Sequence, residues 1–191
     1  MKTMSKTICG IGILALCGAI QAQPTTSSFG ARVEVTGDTV AYENQDEYLG
    51  GFFKSNTEFG DEITLAGSLR VVKKFELEYY TNFKPTGAAG AVIRFYDHAN
   101  SGNQLADGSF DPGDVGTHIY ESPSFPLDSG VGDDGGFGRI TIDGFAGGTL
   151  PDTFTYTIEF SGINSGIGQT AGLSQYGTPH VGSNPNYILQ R

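Results

Sequence analysis

Thr153-Phe154-Thr155-Tyr156-Thr157-Ile158-Glu159-Phe160 alternates without a break, with Phe154, Tyr156, Ile158 and Phe160 on one side and Thr153, Thr155, Thr157 and Glu159 on the other. Side chains of an extended chain point by turns to opposite faces, so this pattern predicts a strand with one face in a core and one in water. Burying each large apolar side chain contributes about 1.5–3 kcal/mol. A charge at Ile158 is therefore expected to unfold the domain rather than weaken it.

The same period of two runs through Lys74 to Tyr80, where Phe75, Leu77 and Tyr79 oppose Lys74, Glu76, Glu78 and Tyr80. Shorter candidates are Arg32 to Thr36, Thr39 to Tyr42, Glu62 to Ala66, Ala91 to Tyr96, Thr117 to Glu121, Arg139 to Asp143 and Ala171 to Tyr176. Each is bounded by Gly, Pro, Asn or Asp. No stretch sustains a helical period. Many short antiparallel strands punctuated by 29 glycines and 8 prolines predict an all-β fold, an antiparallel two-sheet sandwich of jelly-roll-like form. The polar interruptions Asp97 to Gly116 and Asp128 to Gly138 are expected to be loops.

The first residues read differently. Lys2 and Lys6 precede an apolar run from Ile8 to Ile20 and then Ala22, the pattern of a secretory signal cleaved after Ala22. That run is shorter than the roughly 20 residues that span a bilayer, which disfavours a permanent anchor. Lipidation at Cys17 would want a smaller residue than Leu16 before it. Residues 23–30, rich in Pro, Thr, Ser and Gly, are expected to form a flexible leader, and 31–191 a single domain. Both cysteines, Cys9 and Cys17, lie in the signal, so the processed chain has none and must be held by its core alone. Its 169 residues suffice to bury roughly 70% of the unfolded chain's surface.

Beyond the signal stand nine basic residues against 21 acidic ones, a formal charge of −12. Nucleic acid binding draws its affinity from Lys and Arg neutralising phosphates, so this balance excludes it as a role. It suits solubility outside the cell or capture of divalent cations.

The loop Asp107-Gly108-Ser109-Phe110-Asp111-Pro112-Gly113-Asp114, with Asp97 and Asn100 before it, gathers oxygen ligands that calcium would accept. The EF-hand spacing is absent, and turn chemistry alone accounts for such a composition. Gly130-Val131-Gly132-Asp133-Asp134-Gly135 matches a dinucleotide-site string, but its two aspartates repel pyrophosphate and a strand, not a helix, is predicted after it. His98, His118 and His180 have no zinc-site spacing, and no Gly-x-Ser-x-Gly elbow presents a serine nucleophile. Glu76 and Glu78 share a strand face within about 7 Å, as a glycosidase pair could. A solvated outer face is the simpler account.

Aromatic rings stack on sugar faces, and Tyr42, Tyr48, Tyr80, Tyr96, Tyr120 and Tyr176 are candidates. Tyr80 and Tyr96 stand out, because alternation places each opposite its strand's apolar set and so on an outer face.

Gly60 to Gly67 (Gly-Asp-Glu-Ile-Thr-Leu-Ala-Gly), Phe75 to Tyr80, Ile93 to Tyr96, Phe154 to Gly162, and Ala171 to Leu173 with Val181 to Ser183 together resemble secreted bacterial proteins of the PEP-CTERM type. The resemblance covers about two-thirds of the chain after the signal and marks strands rather than a site. It implies a signal peptide, a β-sandwich ectodomain, and then a Pro-Glu-Pro motif, membrane helix and basic tail recognised by an exosortase. Residues up to Arg191 carry none of these last features, so the expectation is a record that stops short of the anchor or a member released unanchored. The resemblance implies no assigned activity, only supposed roles in exopolysaccharide or the cell envelope. The reading is a non-enzymatic, secreted or surface-associated bacterial sandwich with extracellular polysaccharide as its partner. Its alternatives are a structural module with no small ligand and, third, a polysaccharide-acting enzyme.

Overall fold

The computed structural model describes residues 28–97, 116–128, 133–144, 148–184 and 188–190. In chain order the strands are β1 (Ser28–Phe29), β2 (Ala31–Val35), β3 (Thr39–Glu43), β4 (Tyr48–Phe53), β5 (Phe59–Thr64), β6 (Val72–Thr81) and β7 (Gly90–Asp97). After these come β8 (Thr117–Glu121), β9 (Phe125–Pro126), β10 (Gly136–Asp143), β11 (Thr153–Ser161), β12 (Ala171–Tyr176) and β13 (Ile188–Gln190). The one helical element among the described residues is a 3-10 turn, Ser165–Ile167.

Every strand pairing is antiparallel. One seven-stranded sheet runs β1-β12-β6-β2-β3, with β10 on the other edge of β6 and β4 on the other edge of β12. The second, six-stranded, runs β13-β5-β11-β7-β8, with β9 beside β7. The pairings establish an antiparallel two-sheet sandwich, the coarser part of the sequence expectation.

The quoted stretch meets its alternation on one face only: Thr155 and Thr157, expected in water, are buried as well, and of that face Glu159 alone is exposed. β11 lies at the centre of the second sheet, between β5 and β7, and Phe154, Tyr156 and Ile158 are each fully buried. Phe75, Leu77 and Tyr79 of β6 face them across the sandwich. Phe75 meets Phe95 and Tyr156 with ring centroids 4.9 and 5.3 Å apart, both edge-on, the arrangement that aligns the positive rim of one ring with the negative face of another. Phe29 joins this core beside Phe59, 5.8 Å away. The last residues of the expected leader, Ser28 and Phe29, are thus a buried strand, because Phe29 supplies apolar area the core uses.

One acid sits on an inward position. Asp61 of β5 is 2% exposed and accepts hydrogen bonds at Oδ2 from Ser28 Oγ (2.6 Å), Asn184 Nδ2 (3.1 Å) and the Phe29 N–H (3.4 Å). Burial raises its pKa to about 6 against the pull of these donors. Tyr156 stands directly opposite Asp61 in the β5–β11 ladder.

Candidate functional site

The outer face of the first sheet carries five aromatic rings in an unbroken stripe. On β6, Tyr80 pairs with Phe137 of β10 on one side and with Gly172 of β12 on the other. Gly172 is what lets Phe52 of β4 reach Tyr80: a Cβ there would stand 2.7 Å from the Phe52 ring. With that space open, Phe52 and Tyr80 lie nearly stacked, centroids 4.8 Å apart and planes 34° apart. Tyr80 then meets Phe137 at 5.5 Å, Phe137 meets Tyr48 of β4 edge-on at 5.1 Å, and Tyr48 meets Tyr176 of β12 at 5.6 Å. Phe137 is 53% exposed and Tyr48 42%, while Phe52 and Tyr80 are half-buried.

Tyr176 anchors the stripe. Its ring lies over Gly30, where any Cβ would collide with it, and its hydroxyl donates to Glu78 Oε2. Arg139 Nη2 donates to the other carboxylate oxygen at 2.5 Å. Burial, then the bond to Glu78, pushes the Tyr176 hydroxyl's pKa up, so it remains a donor at ordinary pH. Beside the rings the same face becomes a charge lattice. Arg32 contacts Glu34 at 2.7 Å and Glu76 at 3.5 Å, Lys74 contacts the same two at 3.2 and 3.4 Å, and Arg139 approaches Glu76 at 3.7 Å.

Glu76 and Glu78 are therefore not on a freely solvated face: their side chains are 9% and 16% exposed and packed among three cations. Rows of long side chains along a sheet cover one another, which period-two reasoning does not register.

The two tyrosines singled out from sequence part company. Tyr80 lies in the stripe. Tyr96 occupies an outward position on β7 but is 2% exposed, its hydroxyl donating to Glu58 Oε1 at 2.6 Å. Thr157 donates to the same oxygen at 2.5 Å, and Arg94 holds Glu58 at 3.2 Å, Glu121 at 2.7 Å and Glu159 at 2.9 Å. Burial works against the Arg94 charge, yet its bonds to Glu121 and Glu159 outweigh that and raise its pKa. This network covers Tyr96, which corrects the expectation that it offers a ring to a ligand.

Tyr42 is wholly buried, and Tyr120 packs on Phe95 with centroids 5.3 Å apart. Of the calcium candidates, Asp97 is half-buried at the end of β7, opposite Phe154 and Thr117, while Asp107, Asp111 and Asp114 lie outside the described residues. After the glycine string, β10 begins at Gly136, so a strand follows as expected.

A pocket of about 710 Å³ opens at one end of the sandwich, lined by residues that include Lys54, Asn56, Phe160, Ile163 and Gln169. Among the described residues its lining offers hydroxyls, from Ser55, Ser161, Ser165 and Thr170, with no carboxylate or histidine beside them. Sequence reasoning named Tyr48, Tyr80 and Tyr176 of the stripe but missed Phe52, Phe137 and the clamp of Glu78 by Arg139. The signal for Phe137 was available: it sits two residues before Arg139, on the same face of a strand that began earlier than its alternation suggested. No family model matches the chain, and neither the curated proteins nor the solved structures contain a match.

Proposed function

We propose that the chain is a non-enzymatic, exported β-sandwich of the bacterial envelope or extracellular matrix that binds polysaccharide on the outer face of its first sheet. The observation that carries this reading is the five-ring stripe, two of whose members are about half exposed on the outer face of the sheet. An isolated exposed aromatic calls for no explanation, whereas a contiguous patch on a sheet marks a surface kept for contact. Pyranose rings present C–H faces that lie on aromatic rings, and their hydroxyls seek charged acceptors and donors. Arg139, its side chain 49% exposed, flanks the rings and offers donors, held in place by Glu78. The carboxylates on this face are held by guanidinium and ammonium groups, an arrangement that suits orientation of a ligand more than proton transfer to one.

A glycan array probed with the chain from residue 23 onward tests the reading. Binding to one polysaccharide class, weakened roughly two- to tenfold by Phe137→Ala, is the expected result, since one stacked ring contributes about 0.5–1.5 kcal/mol. No signal above background across the array would remove the carbohydrate reading and leave the structural module in its place.

A further inference from the structure

The residues that follow β3 and those that follow β12 run side by side. The Glu43 N–H donates to the Val181 carbonyl at 3.1 Å, His180 and Val181 N–H groups both reach the Glu43 carbonyl at 3.2 and 3.5 Å, and Gly177 N–H donates to Glu47 O at 2.9 Å. These backbone bonds press three side chains together. His180 Nε2 lies 3.4 Å from Glu43 Oε2, and His180 Nδ1 lies 3.3 Å from Asp46 Oδ2. One ligand atom from each of Glu43, Asp46 and His180 falls within 4.8 Å of the other two.

We propose that Glu43, Asp46 and His180 bind a first-row divalent cation, with zinc the best fit, and that water completes the coordination. Two ligands each about 2.1 Å from a tetrahedral ion stand about 3.4 Å apart, as His180 Nε2 and Glu43 Oε2 do; an imidazole offers an ion one nitrogen only, and the third ligand atom, within 4.8 Å of the other two, closes in as the ion binds. An imidazole nitrogen selects zinc or a neighbouring transition ion over calcium, which takes oxygen throughout. Two carboxylates with an imidazole carry the charge that a divalent ion neutralises.

Glu43 is also oriented from behind: Arg32 Nε sits 3.5 Å from its Oε1, leaving Oε2 directed at His180. The His180 and Asp46 side chains are 46% and 74% exposed, so an ion and its waters have access. No spacing rule finds this set, because His180 stands more than a hundred residues from Glu43 and Asp46. Tyr48 and Tyr176 lie on the same two paired segments, which puts the ion at the end of the ring stripe. The site stands whether or not those rings bind sugar.

Calorimetric titration of zinc chloride into the chelator-stripped chain, with calcium chloride as the comparison, tests it. One zinc per chain is expected, with affinity reduced roughly tenfold or more by His180→Ala and by Asp46→Asn, and unchanged by Tyr80→Ala. Asp46→Asn decides the matter if His180→Ala fails to fold. Absence of one-to-one zinc binding, equal binding by both variants, or calcium displacing zinc would each overturn the assignment.

Discussion

Tyr176 reaches over Gly30 to donate its hydroxyl to Glu78, and Gly30 itself bridges the same two strands, its N–H donating to Ser174 O at 3.1 Å and its carbonyl accepting from Glu78 N–H at 2.8 Å. A residue with no side chain is thus the floor on which the stripe's anchoring ring rests.

Gly30→Ala places a methyl group inside that ring. The ring must swing away, losing its bond to a charged acceptor and its contact with Tyr48. Chemical denaturation should show a loss of about 1–3 kcal/mol. Tyr176→Phe, which keeps the ring and removes the hydroxyl, should fall in the same range. Wild-type stability in both variants would mean that the ring is not pinned as described.

Tyr80 and Tyr96 should separate binding from stability. Tyr80→Ala is expected to weaken glycan retention on an affinity column while the melting temperature moves by only a few degrees. Tyr96→Phe removes a buried hydrogen bond to Glu58 and should cost about 1–3 kcal/mol with retention intact. Reversal of that order would show that the functional face is the other sheet.

Asp61 makes stability depend on pH. Its folded pKa of about 6 lies above its unfolded value of 3.8, so the folded state holds the proton more tightly. Stability from this group is fully present below the unfolded value and is lost as pH rises through 6. The whole effect amounts to about 3 kcal/mol between pH 4 and pH 7. Glu62, raised to about 7 by burial and by the Asp61 charge, acts in the same direction. Asp61→Asn keeps an acceptor oxygen for Ser28, Phe29 and Asn184 without the charge, so it should be more stable than wild type at pH 7 and lose that advantage toward pH 4. Parallel stability curves for the two proteins across this range would refute the assignment.

Ile158 is fully buried at the centre of the second sheet. Ile158→Lys should leave a chain without dispersed amide resonances in solution, and Ile158→Ala a folded one weakened by about 2–5 kcal/mol. A folded lysine variant would show that the core yields more than its packing implies.

Alternation made much of this fold legible. β6, β7, β8, β10, β11 and β12 fall within a few residues of where the sequence places them, because alternation and its bounding turn residues mark an extended run, although β12 and much of β11 are buried on both faces and no residue of β8 is buried. β4 escaped because Tyr48-Leu49-Gly50-Gly51-Phe52-Phe53 has no period of two; it is recruited by its pairing with β12, a relationship no local pattern contains. The candidate site was half legible. Alternation assigns a ring to a face but is silent about what covers it, and Tyr80 and Tyr96 have the same local pattern with different neighbours. Glycines decided the rest: the openings at Gly172 and Gly30 admit Phe52 and Tyr176, and their effect depends on which strands lie alongside.

Ser28 and Asn184, from opposite ends of the described chain, both donate to Asp61, and Ile188 pairs with it in the ladder. The donors that satisfy the buried acid stand 33 and 123 residues from it along the chain, so this corner of the core rests on contacts of long sequence separation, the kind that form slowly in folding.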